Sequence, residues 1–249
     1  MKEKIYKLAG KLRTAYQKKI NDTYIWTSIA SSAIYDASNN DDFLSKESIK
    51  VPTNQLKVKE VKRTKEDLSK ILISATSNDF NHAILTFLVA QVEAFFYDLI
   101  CGVLLIDKRR LKIKIDGINH IKTINVDDIL NAETLDTIIE DLVNKELISI
   151  FYASPEKQLE YMNKILGIKF DDKIELLFNK WKEFKASRDI IVHNSGIIND
   201  TYIKKSGIFA RGNIDSTLVI DEKYLHSLIA ESKSLIGILC TTLQRHNKS

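Results

Sequence analysis

Hydrophobic residues recur at helical spacing along most of the chain. Steps of three and four positions define six segments, namely residues 3–35, 64–75, 78–105, 134–152, 171–198 and 221–245. Only two Pro and eight Gly interrupt the 249 residues. So few helix breakers favour long helices over the dense turns of an all-β protein. The pattern therefore predicts an all-α fold.

Several of these segments carry local signals for where a helix begins or ends. Thr64 is a suitable N-cap, with Asp67 three residues later. Pro155 suits the first turn of a further helix, and Asp171 is expected to start the helix that follows it. Gly196 is the natural position for that helix to end, because glycine tolerates the left-handed backbone of a C-terminal cap.

Two segments lack the helical period. Residues 108–114 alternate apolar and basic side chains, which predicts a short strand or an extended connection. Residues 39–63 contain Pro52 and a run of mixed charge, which predicts a linker or a surface excursion. We therefore divide the chain into an N-terminal helical extension with its linker, residues 1–60, and a helical domain, residues 64–249.

The most apolar segment, residues 83–106, resembles a membrane span in length only. Three polar side chains lie inside it, Gln91, Glu93 and Asp98, and a bilayer-spanning helix would hold them at high cost. We expect it to be the central buried helix of a soluble, cytoplasmic protein without membrane association. The amino terminus lacks the uninterrupted apolar core of a signal peptide, and Cys101 and Cys240 are expected to be buried free thiols.

Composition adds one feature, a concentration of charge. The content of 44% hydrophobic and 28% charged residues excludes a largely disordered chain. The net charge is +4, yet residues 1–20 alone carry a balance of +6. This basic helix could meet phosphates or an acidic partner. Alternatively it is an ordinary docked helix with solvated lysines, because Ile5, Leu8 and Leu12 recur at helical spacing.

In the predicted helix that begins at Asp171, Arg188 is a charged residue at an apolar position. The apolar seam of that helix consists of Leu177, Trp181, Phe184, Arg188, Ile191, Ser195 and Ile198. Arg188 thus occupies a position where Leu or Ile is expected. A guanidinium there must find an anion, because an unpaired buried charge costs several kcal/mol. One interpretation is purely structural, a fixed ion pair with a core acid such as Glu93.

His193 follows Arg188 by five residues, which places the two side chains ~140° apart around one helix. A single copy therefore makes a poor active site, whereas two copies with facing helices could bring both Arg–His pairs into one cleft. Asp189 lies four residues before His193, so its carboxylate can hold the imidazole and favour its charged form. In the structural interpretation, His193 and Asn194 only satisfy the last helical carbonyls.

This arrangement resembles the Arg–His motif of HEPN domains. The motif residues are Arg188 and His193, with a polar Asp189 after the arginine and Asn194, Ser195 and Gly196 after the histidine. The neighbourhood agrees, because an apolar helix with an internal acid precedes the motif helix and a final helix follows it. The resemblance covers about residues 64–246 and leaves the first 60 unassigned.

The resemblance implies an HEPN-like helical bundle that forms a homodimer through its motif helices. Many members of the family are metal-independent endoribonucleases of toxin–antitoxin, phage-defence or CRISPR-linked systems. In that chemistry the RNA 2′-hydroxyl attacks the adjacent phosphorus, His193 acts as general base or acid, and Arg188 neutralises the phosphoryl oxygens. Asp189 would orient the histidine, and Asn194 would bind phosphate or ribose or hold the helix end. No cofactor or metal is expected.

The resulting hypothesis is a toxin or abortive-infection effector that cleaves RNA and is restrained by an antitoxin or another defence-system partner. Two alternatives stay open. Many HEPN relatives are non-catalytic modules that bind RNA, a nucleotide or a protein. The chain could also be a subunit of a larger defence complex, with residues 1–60 docked onto a partner.

The remaining candidate motifs are weaker. His82, His120, His226 and His246 show no zinc-ligand spacing, so we expect structural or surface roles for them. Glu60 and Lys62 match the acid-x-Lys end of a metal-dependent nuclease motif, but they fall in the predicted charged linker rather than in a strand pair. No glycine-rich phosphate loop or nucleophile elbow is present.

Overall fold

The computed structural model describes residues 1–45, 50–52, 60–121 and 123–248. These ranges contain ten α-helices: α1 (Lys2–Ser38), α2 (Asp41–Leu44), α3 (Lys65–Ser74), α4 (Phe80–Ile106), α5 (Val126–Leu130), α6 (Leu135–Phe151), α7 (Pro155–Leu166), α8 (Asp172–Asn194), α9 (Asp200–Ser206) and α10 (Glu222–His246). The predicted all-α fold is confirmed.

The predicted linker contains a short strand pair. Strand β1 (Lys50–Pro52) pairs antiparallel with β2 (Glu60–Lys62). The expectation that Glu60 and Lys62 lie outside a strand pair is therefore wrong. Asp41–Leu44, also within the predicted linker, form the short helix α2, and residues 46–49 and 53–59 lie outside the described residues.

The three predicted helix starts are confirmed. The Thr64 hydroxyl accepts from the Asp67 backbone N–H at 3.1 Å. The Asp171 carboxylate accepts from the Ile174 N–H at 2.9 Å, and Pro155 occupies the first turn of α7. Such caps satisfy backbone donors that the first turn leaves without partners.

Helices α3 and α4 are joined by one π-helical turn, Ala75–Asp79. No Gly or Pro separates them, so nothing in the backbone ends the first helix. The Thr76 hydroxyl donates to the carbonyls of Leu72 and Ile73 at 3.2 and 3.0 Å. These bonds compete with the regular helical ladder at the point where the helix widens.

The basic run after α4 is helical rather than extended. Lys108–Lys112 form a 3₁₀ turn, so the predicted short strand or extended connection is wrong for these five residues, and the chain becomes extended only at Ile113. The carboxylate of Asp107 explains the difference, because it accepts from Nε of Arg109 at 2.9 Å and from Nε of Arg110 at 3.2 Å. Arg110 also donates to the carbonyl of Ile165 in α7. These contacts draw the run back against the bundle.

Helix α4 is the centre of the bundle and packs against α1, α6, α7, α8 and α10. It is long and apolar enough to cross a membrane by length and composition, and 50% of its most apolar window is buried inside the structure. Phe96 of α4 meets Trp181 of α8 edge to face, with ring centroids 5.0 Å apart. Such a contact adds about 0.5–1.5 kcal/mol beyond simple burial, and it fixes α8 against α4.

Helix α1 belongs to the same hydrophobic core as the helices after residue 64. Its buried stripe consists of Ile5, Ala9, Leu12, Tyr16 and Ile20. The helix packs mainly against α10 and α4, and the Tyr16 hydroxyl donates to Asp98 of α4 at 2.6 Å. The predicted boundary near residue 60 therefore does not separate two cores.

Both cysteines are free thiols, as the sequence predicts. Cys240 is fully buried, as expected, whereas Cys101 is only partly buried, so the expectation of burial is wrong for Cys101. Burial raises the pKa of the Cys240 thiol to about 12, so at neutral pH it is a small apolar core group.

Candidate active site

The candidate site lies in the last two turns of α8. The helix ends at Asn194, and Ser195 and Gly196 follow in the left-handed conformation with φ of 51° and 75°. The Gly196 N–H donates back to the Ile190 carbonyl at 2.9 Å. This is the expected end of the helix within two residues, and it holds the last turn in one conformation.

Arg188 is directed towards α4 and is held by carboxylates. Its Nη2 lies 3.0 and 3.2 Å from the two oxygens of Glu93, and its Nη1 lies 3.4 Å from Asp189. The side chain is 23% exposed. Lys185 Nζ shares the same Glu93 carboxylate at 2.6 Å. The ion pair of the structural interpretation therefore exists, but it is at the rim of the core and Glu93 has a second cation.

Arg188 nevertheless keeps unused donors. A guanidinium has five N–H groups, and the Nε of Arg188 makes no hydrogen bond or ion pair among the described residues. Two further cations, Lys185 and Lys205, pair with the same two carboxylates, Glu93 and Asp189. Three cations thus face two acids, and the cluster retains a positive balance for an anionic ligand.

Asp189 does not hold His193, contrary to the expectation from their spacing. Its carboxylate contacts Lys205 Nζ at 3.1 Å and Arg188. Lys205 comes from α9, which packs against α8. The carboxylate of Asp189 therefore pairs with a lysine on a neighbouring helix, and not with the imidazole four residues later in its own helix.

His193 is exposed and makes no hydrogen bond or ion pair within the described part of the chain. Asn194 has the alternative role that the sequence allowed, because its Nδ2 donates to the Ile197 carbonyl at 2.7 Å and so holds the helix end. Of the four predicted site residues, the structure brings Arg188 and Asp189 into contact, while His193 projects into solvent. The two motif side chains do not converge within one copy.

One histidine and one cavity near the site were not anticipated from the sequence. His82, on α4, lies beside the helix end, since a Cβ added to Gly196 would be 3.7 Å from its Cε1. Its Nε2 is buried without a partner among the described residues. A cavity of 320 Å³ lined by Glu93, Ala94, Tyr97 and Phe151 opens next to the ion pair, and neither motif residue lines it.

The most buried acid of α8 was not recognised from the sequence. Glu183 accepts from the hydroxyls of Ser187 at 2.6 Å, Tyr202 at 2.8 Å and Tyr224 at 2.6 Å, and from Arg211 Nε at 3.2 Å. The guanidinium of Arg211 stacks on the Tyr224 ring at 3.5 Å. Because the Glu183 carboxylate and the groups around it all have hydrogen-bond partners, we interpret this network as structural. It joins α8, α9 and α10 behind the candidate site.

A second buried acid, Glu146, is also satisfied. It contacts His120 Nδ1 at 2.5 Å and the Ile121 N–H at 3.1 Å. His120 Nε2 lies 2.7 Å from the backbone nitrogen of Ile115 and 3.1 Å from its carbonyl oxygen, so both ring nitrogens are held. The structural role expected for His120 is thus confirmed. Within the described ranges, no group of three or more His, Cys, Asp or Glu side chains could hold a metal ion.

No family model matches the chain, and comparisons with curated proteins and with solved structures also give no match. The resemblance to HEPN domains therefore rests on the residues of α8 and on the order of the helices around it.

Proposed function

We propose that this protein is a metal-independent endoribonuclease of HEPN type, whose site is formed by Arg188 and His193 from two copies of the chain. One observation carries the proposal. A solvent-exposed imidazole without a partner among the described residues follows, by five residues on one helix, a guanidinium with unused donors. These are the two groups that cleavage of RNA by its own 2′-hydroxyl requires.

The reaction balances with these residues alone. His193 of one copy accepts the proton of the 2′-hydroxyl, whose oxygen then attacks the adjacent phosphorus. The bond from phosphorus to the 5′-oxygen breaks, and a protonated His193 of the other copy supplies the proton to the leaving oxygen. Arg188 donates to the non-bridging oxygens, where negative charge increases in the transition state. The products are a 2′,3′-cyclic phosphate and a free 5′-hydroxyl.

A second copy is required because the motif side chains diverge within one chain. Val192 lies between them in sequence and is 51% exposed, which gives the last turn of α8 an apolar contact surface. We expect a two-fold dimer with residues 181–198 near its axis. A Val192→Asp change should separate the protomers in sedimentation and abolish cleavage, and a wild-type chain that is active as a monomer would contradict the composite site.

The proposed context is that of a cytoplasmic toxin or abortive-infection effector, restrained by an antitoxin or another defence-system protein. This part follows from the resemblance to HEPN nucleases. Its test is expression of the wild-type chain against the His193→Ala chain, since only the first should arrest growth.

The second candidate function is a non-catalytic HEPN module that binds RNA, a nucleotide or a protein. The Arg188–Glu93 ion pair favours it, because it gives the arginine a structural reason to occupy the seam. The two candidates differ in what His193 does. A module needs no free imidazole, whereas the nuclease loses its proton carrier when that residue is removed.

The deciding experiment measures cleavage of a labelled single-stranded RNA by wild-type, Arg188→Ala and His193→Ala chains in excess chelator. We expect wild-type to release 2′,3′-cyclic phosphate ends, both variants to be inactive, and DNA of the same sequence to remain intact. The matched control is His246→Ala, which removes another exposed histidine in the last turn of a helix. Activity that depends on added magnesium, or that survives His193→Ala, would contradict the proposal.

A further inference from the structure

A long groove runs between α1 and α10, away from the Arg188–His193 site. It has a volume of about 730 Å³ and extends along α10 from His226 to Arg245. At a rise of ~1.5 Å per residue, this stretch is about 28 Å long. Gln17 and Asn21 of α1 form the opposite wall. The two helices approach closely at Gly237, where an added Cβ would lie 2.9 Å from the Gln17 amide nitrogen.

The groove is lined by cations and by no acid. Lys173, Lys233 and Arg245 line it, and no Asp or Glu is among its described lining residues. Arg13 stands at its edge and donates to the hydroxyl of Thr241 at 3.2 Å. Within the described part of the chain, none of these four cations forms an ion pair, and Lys233 donates only to the neutral Asn21 amide at 3.0 Å.

This pattern differs from that around Arg188, where carboxylates accompany the cations. Four unneutralised positive charges along one groove repel each other in the free protein. An anion with repeated charges would relieve that repulsion. The groove therefore has the electrostatics of a site for a chain of phosphates, for which basic side chains and released counterions provide the affinity.

One end of the groove offers aromatic faces. The rings of Tyr24 and His226 meet edge to face with centroids 4.9 Å apart, and both line the groove. They also line an adjoining cavity of about 540 Å³ that contains Tyr35 and Phe80. Aromatic surfaces next to a basic track are the combination by which proteins bind single strands, because every base has a face that can stack.

We propose that the groove between α1 and α10 binds a segment of single-stranded RNA, with its phosphates on the four cations and a base against Tyr24. Its length suits on the order of four nucleotides, the lower end of the range for single-strand sites. The choice of RNA as ligand rests on the proposed function. Lys173 begins α8 and His193 ends it, about 30 Å apart along the helix, so the groove anchors a substrate at a distance from the cleavage site.

The test measures binding separately from cleavage. Binding is measured with the His193→Ala chain and a labelled single-stranded RNA of about 20 nucleotides, over a range of salt concentrations. The groove variant is Lys173→Gln with Arg245→Gln. The control is Lys70→Gln with Lys112→Gln, which removes the same net charge at exposed positions outside the groove. Melting curves establish that all chains are folded.

For a single strand, each phosphate contact contributes about −0.7 to the slope of log affinity against log salt concentration. Four contacts predict a slope near −3, and the groove variant should reduce it to about −1.5 with a loss of affinity of about tenfold or more at low salt. The control variant should resemble its parent. In otherwise wild-type chains, the groove variant should raise KM for the long RNA and leave kcat unchanged, while cleavage of a tetranucleotide is unaffected.

Three results would overturn the inference. The first is a salt slope in the groove variant that equals that of its parent. The second is competition by polyglutamate as strong as that by RNA, which would indicate a surface for acidic proteins. The third is binding of a duplex of the same sequence as tightly as the single strand. Failure of the proposed nuclease would show differently, as groove-dependent RNA binding without any cleavage by the wild-type chain. Cleavage with an unaltered KM in the groove variant would refute the groove alone.

Discussion

Removing Arg188 tests whether its ion pair is structural or serves the proposed chemistry. Two cations share Glu93, with Lys185 Nζ at 2.6 Å and Arg188 Nη2 at 3.0 Å. Arg188→Met therefore leaves the carboxylate with a partner. Only the double replacement, Arg188→Met with Lys185→Met, leaves Glu93 without a nearby cation. Methionine retains the aliphatic stem, which matters because Lys185 lies over the Trp181 ring at 5.4 Å.

The expected magnitudes follow from this sharing. A hydrogen bond to a charged group contributes about 1.5–3 kcal/mol when it is fully made. The side chain of Glu93 is 23% exposed, and the remaining lysine compensates, so each single replacement should cost about 1 kcal/mol. The double replacement approaches the loss of a buried pair, about 3–5 kcal/mol. The loss of stability in the double variant should thus exceed the sum of the losses in the two single variants by about 1–3 kcal/mol.

The assay is urea unfolding of the four chains, combined with the RNA cleavage assay. For a chain of this length, 1 kcal/mol corresponds to a change in Tm of about 2–4 °C, so thermal melting gives an independent check. We expect Arg188→Met to abolish cleavage and Lys185→Met, which has a similar cost in stability, to retain it. This pair of variants separates a lost catalytic group from a weakened fold.

The outcome that refutes the reasoning is specific. If Arg188→Met alone costs about 3 kcal/mol or more, Lys185 does not compensate and the arginine is a structural ion-pair member. If that variant also cuts RNA at the wild-type rate, the proposed site is wrong. If the two single costs simply add, the cations do not share Glu93 in solution.

Two further predictions concern the buried network behind the site. Glu183→Ala should lower the free energy of unfolding by about 3–5 kcal/mol, because it removes the acceptor of Arg211 Nε and of three hydroxyl groups. Glu175→Ala, at an exposed position of the same helix, should cost less than about 1 kcal/mol. Similar losses in urea unfolding would contradict this. Burial and the Glu183 carboxylate raise the pKa of the Tyr202 and Tyr224 hydroxyls. The two protonated tyrosines therefore stabilise the fold fully below the unfolded tyrosine pKa of about 10, and this stabilisation is lost as the pH rises above that value. The urea midpoint should fall above about pH 10, while tyrosinate absorbance appears. A midpoint that stays constant over this range would refute the prediction.

The sequence by itself determined the helices and much of their boundaries. The N-caps Thr64 and Asp171 and the first-turn Pro155 are correct because each signal acts within four residues of its own position. Helix α4 was identified as the core helix because it is the most apolar segment and yet contains Gln91, Glu93 and Asp98, which a bilayer would hold at high cost. The anomaly at Arg188 was visible for the same reason, since a charge in an apolar seam violates a local pattern.

Contacts between distant segments were decided only by the tertiary structure. Asp189 contacts Lys205 rather than His193 because α9 folds back along α8, and spacing within one helix carries no information about that return. The Glu183 network joins residues that are up to 41 positions apart, so no periodicity reveals it. The groove between α1 and α10 likewise joins the two ends of the chain. Whether a charge is neutralised depends on which side chains the packing brings within about 4 Å of it, and that is a property of the fold and not of any segment.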